Sequence, residues 1–316
     1  MSHVILMALT PVFFVMALGY VAGRWRIIDN HHVSGLNALV MNFAVPASLF
    51  VATASAPRSE MIAQAPLIAI LGADMLIVYL LWYLFLTRLA RASTAEASLQ
   101  ALTIAFPNLA GVGLPIMSAL LGPTETVPVA VALATGSILL SPPTLILLEL
   151  SSGKEKNDTK ISAAQMSRAL WHALTKPVVV APILGILVSL SGLDLDSVAA
   201  ASLNLIGQAA GGVALFLTGL ILSAQPFRLD WKVVGATAAS DMMRPLLVAA
   251  IAYTFPVPSE IARVSILLAA VPSGFFGILF AETYQVRSPE MGSMVIASTV
   301  FSILTLAITI GILFPQ

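Results

Sequence analysis

The sequence predicts an all-α integral membrane protein with ten transmembrane helices, arranged as two inverted five-helix repeats whose fourth and ninth helices are broken. Three observations predict this fold class: the apolar composition, ten apolar runs of membrane-spanning length, and a match between the two halves of the chain. Of the 316 residues, 59% are hydrophobic and 9% are charged, and the mean hydropathy is +0.97. Soluble domains carry about 25% charged residues, so this composition is typical of a membrane protein.

The composition also excludes several classes of function. The formal net charge is zero and no basic run occurs, so we expect no nucleic-acid partner. The absence of cysteine excludes disulfides, thiolate metal sites and cysteine nucleophiles. The four histidines fall at span ends or in loops, and the chain has no metal-binding motif, nucleophile elbow or Walker A motif. We therefore expect no metal, no cofactor and no catalytic residue.

A membrane span needs about 20 mainly apolar residues, and ten runs have this character. We predict spans near residues 4–23, 33–53, 64–87, 97–121, 127–149, 174–192, 197–223, 233–255, 259–281 and 290–314. The first Lys or Arg is Arg24, so the opening run lacks the basic start of a cleaved signal peptide and is interpreted as the first span. Residues 150–173 form the one longer polar loop. It ends in an amphipathic piece that either lies on the membrane surface or extends span six.

The distribution of basic residues predicts the orientation of the chain. Twelve of the 15 Lys and Arg residues fall on the membrane side opposite the N-terminus, whereas Arg58 and Arg263 fall on the N-terminal side and Arg244 lies within a span. Cytoplasmic loops carry the excess of Lys and Arg. Both termini are therefore expected on the outer side, which is periplasmic for a bacterial inner membrane.

The two halves of the chain match at a nearly constant offset. The matched pairs, 165 to 167 residues apart, are Pro11 with Pro177, Gly19 with Gly185, Asn42 with Gln208, Phe50 with Phe216, Asp74 with Asp241, and Pro107 with Pro272. Because each repeat has five spans, an odd number, the halves must enter the membrane in opposite directions. We place the first repeat at 1–155 and the second at 156–316.

Two stretches cannot form continuous helices. Residues 105–115 (AFPNLAGVGLP) hold two prolines, two glycines and an asparagine, and residues 270–277 (AVPSGFFG) begin 165 positions later. Inside a bilayer, unwound backbone is tolerated only where it is buried in protein or lines a wet cavity. Simple proline kinks are the alternative interpretation of each break. The pair, in corresponding spans, favours the substrate site of a secondary transporter.

We expect the substrate to bind at these breaks. Backbone N–H groups at the start of a half-helix, with the positive end of its dipole, suit an anion. The Asn108 amide is expected either to cap the second half-helix or to face a ligand. The predicted contacts at the breaks are Pro107, Asn108, Gly111, Pro272, Ser273 and Gly274. Asn42 and Gln208 are a predicted second layer around the same cavity, with hydrogen bonding between helices as the alternative.

Three charged residues lie well inside predicted spans, away from their ends, where a charge is costly unless it is paired, hydrated or neutralised. Arg244 follows Asp241 by three residues, so we expect the two to share a helical face and to pair. The alternative is that Arg244, the only basic side chain deep in the membrane, binds the substrate carboxylate. Asp74 has no partner on its own helix. We predict that Asp74 and Asp241 are the groups that take up a coupling proton or cation.

Ten spans in two groups of five, with Pro46, Asn108, Pro115 and the Pro272 break, resemble the auxin efflux carrier family over the whole chain. The short central loop is similar to that of bacterial members, among which malonate transporters are the most similar. The resemblance implies a scaffold of spans 1, 2, 6 and 7 and a transport domain of spans 3–5 and 8–10, in which the broken helices 4 and 9 cross near the midplane. It also implies an elevator-like motion, a homodimer, and substrate contacts at Pro107, Asn108, Pro272 and Ser273. Ser273, where plant members sometimes have asparagine, suits a substrate smaller than auxin.

The expected function is uptake of a small organic anion, malonate or a malate-like dicarboxylate, coupled to H⁺ or Na⁺. Coupling is expected because inward movement of an anion against the membrane potential costs about 2.3 kcal/mol per charge per 100 mV. One alternative is an uncoupled efflux carrier of a monocarboxylate or auxin-like weak acid. Another is a membrane receptor or intramembrane enzyme, which would explain neither the repeat nor the paired breaks.

Overall fold

The computed structural model describes residues 2–30, 33–121, 127–152, 163–224 and 228–314. In these ranges the chain is helical, without β-strands and with one isolated backbone bridge. Three of the described turns are π-helical: Val40–Ala44, Leu109–Gly113 and Ala239–Met243. The α-helices are α1 (Ser2–Arg24), α2 (Ser34–Leu39), α3 (Val45–Ala54), α4 (Arg58–Ala63), α5 (Ala65–Arg88), α6 (Thr94–Ala105), α7 (Leu114–Leu121), α8 (Val127–Ser152), α9 (Ala163–Leu174), α10 (Pro177–Ser191), α11 (Ser197–Gly207), α12 (Ala209–Ser223), α13 (Trp231–Ala238), α14 (Arg244–Thr254), α15 (Ser259–Ala269), α16 (Phe276–Thr283) and α17 (Pro289–Leu313).

Six described helical stretches are long and apolar enough to cross a membrane: Ser34–Ala54, Ala65–Arg88, Val127–Ser151, Ser197–Ser223, Trp231–Thr254 and Glu290–Leu313. The bent pair Met166–Leu174 and Pro177–Ser191 adds a seventh if it is counted as one span. Within α1, the stretch Phe13–Arg24 is apolar but short, and predicted spans four and nine are interrupted. The all-α class is therefore confirmed, whereas the number of ten spans stays a prediction.

The predicted polar loop falls largely at residues 153–162, outside the described residues, as do His31 and His32. The amphipathic piece that follows this loop is α9. It meets α10 at an angle of 57°, so it is not a straight extension of span six. Of the two interpretations of this piece, the bend favours a separate helix.

Glycines bring two helix pairs into close contact, α1 against α12 and α3 against α10. A Cβ added at Gly19 would lie 1.9 Å from the Phe216 carbonyl oxygen, and one at Gly185 would lie 2.7 Å from the Phe50 carbonyl oxygen. Small residues allow this close approach of helix backbones in membranes. The two contacts join equivalent positions, because Gly19 and Gly185, like Phe50 and Phe216, are 166 residues apart.

The other helices position the broken stretches. α6 packs against α5, α8 and α16, while α15 packs against α14 and α5. The Ala239–Met243 turn contacts α17. This arrangement buries the segments that follow α6 and α15 and places charged side chains beside them.

We predict that Gly219→Ala destabilises the protein, because its Cβ would lie 1.9 Å from the Met16 carbonyl oxygen and would force α1 and α12 apart. Overpacking of this kind typically costs about 1–3 kcal/mol. The measurement is the melting temperature of the purified protein in detergent. Gly211→Ala in the same helix is the control, since nothing lies within 4 Å of its added Cβ. Equal melting temperatures for the two variants would contradict the packing argument.

Candidate functional site

The two broken stretches meet and bond to each other. α6 ends at Ala105, α15 ends at Ala269, and the chains that follow run antiparallel through the bridge between Pro107 and Ser273. The Asn108 N–H donates to the Pro272 carbonyl at 2.8 Å. The Gly274 N–H donates to the carbonyls of Phe106 at 2.9 Å and Thr103 at 3.1 Å. Each break therefore supplies hydrogen-bond partners that the other would otherwise lack. We call residues 106–108 and 271–275 together the crossover.

Close packing of the crossover depends on Gly274 and on aromatic rings. A Cβ at Gly274 would lie 2.3 Å from the Phe106 carbonyl oxygen, so only glycine fits without moving one chain. The Phe106 and Phe276 rings stack with centroids 4.6 Å apart and planes 13° apart. Such pairs stabilise beyond their buried area. The crossover is thus a fixed, buried unit of both halves of the chain.

Asn108 caps the segment that follows it. Its Oδ1 accepts from the Gly111 N–H at 3.0 Å, at the start of the π-helical turn Leu109–Gly113. A Cβ at Gly111 would lie 2.7 Å from this oxygen, which explains the glycine. The structure thus shows the capping role that was one of the two expectations for Asn108. Its amide nitrogen is not used in this bond, and contact of that nitrogen with a ligand stays a prediction.

Backbone N–H groups of the crossover are less available than the sequence led us to expect. Those of Asn108 and Gly274 donate to carbonyls, and that of Ser273 donates to the Ser298 hydroxyl at 2.8 Å. The N–H groups of Asn108, Ser273 and Gly274 are therefore not open to an anion in the conformation described, and binding of an anion at the helix starts stays a prediction. Those of Asn108 and Gly274 are occupied because the two breaks satisfy each other, which a single-chain pattern does not reveal.

Arg244 binds the ends of both broken helices. Its side chain is 0% exposed, and its Nη1 donates to the carbonyls of Ile104 at 3.3 Å and Val271 at 3.5 Å. Ile104 is in the last turn of α6, and Val271 lies two residues after α15 ends. C-terminal carbonyls lack helical partners and carry the negative end of the dipole. A buried guanidinium is well suited to both.

The partner of Arg244 is Asp74. The Arg244 Nε lies 3.6 Å from Asp74 Oδ2, and both side chains are buried. The expected pair of Arg244 with Asp241 is wrong, since the described residues show no ion pair between them. Asp241 lies inside the π-helical turn Ala239–Met243, which ends just before Arg244, and the wider winding of this turn changes the angle between positions three residues apart. As predicted, Asp74 has no partner on its own helix; its partner is on α14.

Asp241 is connected to the crossover through a serine. Its Oδ1 accepts from the hydroxyls of Ser240 at 2.8 Å and Ser298 at 2.7 Å, and the Ser298 oxygen accepts from the Ser273 N–H. Sequence analysis missed Ser240 and Ser298. Serines on apolar helices give no signal of their own, and α17 reaches Asp241 only in the folded chain.

Unsatisfied buried polar atoms are concentrated at this site. The atoms without a hydrogen-bond partner include both Asp74 carboxylate oxygens, Asp241 Oδ2, Arg244 Nε and Nη2, and Ser273 Oγ. Buried polar groups are usually hydrogen-bonded, so each exception needs an explanation. Donors and acceptors gathered in an apolar protein interior are suited to a polar or charged ligand.

Asn42 and Gln208 are placed differently from what we expected. Asn42 is exposed in the turn Val40–Ala44 and lines a cavity of about 200 Å³ together with Asn37, Lys176 and Glu282. Gln208 is exposed at the junction of α11 and α12. Within the described residues, no hydrogen bond joins either amide to the crossover. The structure does not link this predicted second layer to the site.

A family described as "Membrane transport protein" matches residues 4–310 of the chain. The chain belongs to this family, the auxin efflux carrier family. It is 28% identical over 283 residues to a protein of Escherichia coli (strain K12) named uncharacterized transporter YfdV, with 88% of each chain covered. It is also 21% identical over 297 residues to a protein of Rhizobium meliloti (strain 1021) that is provisionally named a malonate transporter, covering 93% of this chain and 91% of that protein. An uncharacterized transporter of Methanothermobacter thermautotrophicus is 25% identical over 305 residues, covering 93% of this chain and 94% of that one.

We predict that Asp74→Asn strongly destabilises the protein, because it leaves Arg244 buried without a carboxylate. Removing one partner of a buried ion pair costs about 3–5 kcal/mol. Adding Arg244→Gln should recover much of the lost stability, since the uncompensated charge is then gone. The measurement is the yield of folded protein and its melting temperature in detergent.

The matched control for this cycle is Asp241→Asn with and without Arg244→Gln. Because Asp241 bonds to serines, the second change should bring no comparable recovery. Recovery in the Asp241 cycle rather than the Asp74 cycle would contradict the assigned pairing.

Proposed function

We propose that this membrane transporter carries a small dicarboxylate, malonate by preference, into the cell together with H⁺ or Na⁺. The observation that carries this proposal is the crossover, where two interrupted helices meet beside a buried arginine and two buried aspartates. Interrupted helices in corresponding places of two halves are typical of transporter substrate sites. The relative provisionally named a malonate transporter supports the substrate class.

In this proposal, side chains provide the first contacts with the anion. The Asn108 amide nitrogen and the unpartnered Ser273 hydroxyl would donate to one carboxylate, near the start of the Leu109–Gly113 turn. Pro107 and Pro272 keep the helices broken, while Gly111 and Gly274 allow the close contacts there. The free Nη2 of Arg244 would attract the second carboxylate. Asn42 and Gln208 would line the route to the site.

The charges at the crossover favour coupling to a cation. Asp74, Asp241 and Arg244 together carry a formal charge of −1 when all are ionised, and all three are buried. A dianion added there would raise the charge to −3, in a medium where like charges repel strongly. A proton or Na⁺ bound at Asp74 or Asp241 would reduce this repulsion. The substrate and cation should therefore bind together, which is the thermodynamic basis of symport.

We further propose ten spans in two inverted repeats, 1–155 and 156–316, with both termini on the periplasmic side of the inner membrane. The equivalent contacts of Gly19 with Phe216 and of Gly185 with Phe50 support a repeat related by two-fold pseudosymmetry. The transport domain of spans 3–5 and 8–10 would carry the crossover past the scaffold of spans 1, 2, 6 and 7. A homodimer through that scaffold follows from the family resemblance.

The test is uptake of labelled malonate by proteoliposomes containing the purified protein. We expect Asn108→Asp to keep the cap, because aspartate is as good an N-cap as asparagine, but to lose transport, since it replaces the amide donor with a negative charge. The melting temperature of this variant is measured alongside transport, because a buried carboxylate also costs stability. Asn108→Ala should lose both stability and transport.

The control for this series is Asn204→Ala, at an exposed position of α11, which should transport normally. Normal malonate transport by Asn108→Asp would exclude the amide from substrate binding. Collapse of the H⁺ and Na⁺ gradients should abolish accumulation. Uptake that is unaffected by their collapse would instead favour the uncoupled carrier of a weak acid.

A further inference from the structure

Ser298 lies between the crossover and a buried carboxylate. Its oxygen accepts from the Ser273 backbone N–H at 2.8 Å, and its hydroxyl donates to Asp241 Oδ1 at 2.7 Å. Ser298 and Asp241 are 0% exposed and Ser273 is 1% exposed, so water does not compete for these bonds. One hydroxyl thus joins α17, the second break and the π-helical turn of Asp241.

The strength of the hydrogen bond from the Ser273 N–H to Ser298 depends on the bond from the Ser298 hydroxyl to Asp241. A hydroxyl that donates to a charged carboxylate is polarised and becomes a better acceptor, so an ionised Asp241 strengthens the hold of Ser298 on the Ser273 N–H. A proton taken up from water on Oδ1 would reverse the bond, because the carboxylic acid would then donate to Ser298. The Ser298 hydrogen would turn towards Ser240 Oγ, which is 3.2 Å away. Na⁺ bound to the carboxylate would likewise attract a lone pair of the Ser298 oxygen and weaken the hydrogen bond that this oxygen accepts from the Ser273 N–H.

We propose that Ser298 is a positioning residue that couples cation binding at Asp241 to anion binding, by releasing the Ser273 N–H to the substrate carboxylate when Asp241 is neutralised. This inference rests on the proposed function. It explains how the Ser273 N–H, which is occupied in this structure, becomes part of an anion site. It also makes the coupling positive, because the cation and the anion each favour binding of the other.

Other charged groups also influence whether Asp241 is ionised. Arg244, at the start of α14, attracts the charged form of Asp241, and its ion pair with Asp74 of α5 moderates that attraction. The remaining charged side chains on the helices that contact this turn are farther away. Glu96 and Glu290 are in the first turns of α6 and α17, and Lys232 of α13 pairs with Glu290 at 3.8 Å. Eight residues of helix, about 12 Å, separate Glu290 from Ser298.

The experiment measures malonate affinity of the purified protein by calorimetry over a pH series, and with Na⁺ replaced by choline. In the unsubstituted protein, the affinity should rise about tenfold with the coupling cation, as is typical of linked sites. In Ser298→Ala, malonate should still bind, with a clearly smaller dependence on the coupling cation, because the Ser273 N–H is no longer held and only the reduced charge repulsion then links the two ligands. Affinity that rises as the pH falls would identify a proton as the coupling cation, and affinity that falls when choline replaces Na⁺ would identify Na⁺.

Ser302→Ala is the matched control, one turn further along α17. Its hydroxyl is also buried but donates to the Thr299 carbonyl of its own helix, so its loss should leave the cation dependence unchanged. Ser298→Thr, which keeps the hydroxyl, should restore the dependence that Ser298→Ala loses. Full cation dependence in Ser298→Ala, or loss of malonate binding by the folded variant, would overturn the coupling role of Ser298 and leave the proposed function standing. Failure of the unsubstituted protein to bind any small dicarboxylate would overturn the proposed function as well.

Discussion

The structure depends on the satisfaction of backbone hydrogen bonds at two breaks inside an apolar protein. Each unpaired N–H or C=O in such surroundings costs several kcal/mol, so a single unwound segment is unfavourable. Here the two breaks solve the problem jointly, with the Asn108 N–H on Pro272 and the Gly274 N–H on Phe106. Two further carbonyls at the helix ends, those of Ile104 and Val271, accept from Arg244. Every other feature of the site is arranged around this mutual pairing.

The same constraint explains the charged residues. Arg244 binds carbonyls at the C-terminal ends of α6 and α15, and Asp74 compensates its charge across the helix packing. The second aspartate is bound differently, by two serine hydroxyls. The two buried carboxylates thus have distinct environments: Asp74 is paired with the Arg244 guanidinium, and Asp241 is hydrogen-bonded to neutral hydroxyls. This asymmetry is the reason that the proposed coupling role of Ser298 involves Asp241 and not Asp74.

Close helix contacts provide a rigid surrounding for the crossover. Glycines at matching positions let α1 approach α12 and let α10 approach α3, while Gly274 lets the two breaks touch. Buried rings of Phe106 and Phe276 fill the space beside the breaks. The glycine contacts between these four helices lie in the proposed scaffold, whereas the Gly274 contact and the two rings lie in the proposed transport domain.

By itself, the sequence determined the all-α membrane class, the family and the positions of both breaks, because apolar length, proline and glycine act locally. It also identified Asn108, Asp74, Asp241 and Arg244 as candidate site residues, because burying a polar group without a partner in a membrane costs free energy. Only the tertiary structure decided which of them pair. A π-helical turn rotates Arg244 away from Asp241, and packing brings Asp74 and Ser298 in from other helices. Contacts between helices depend on winding and approach, which residue spacing along one helix does not encode.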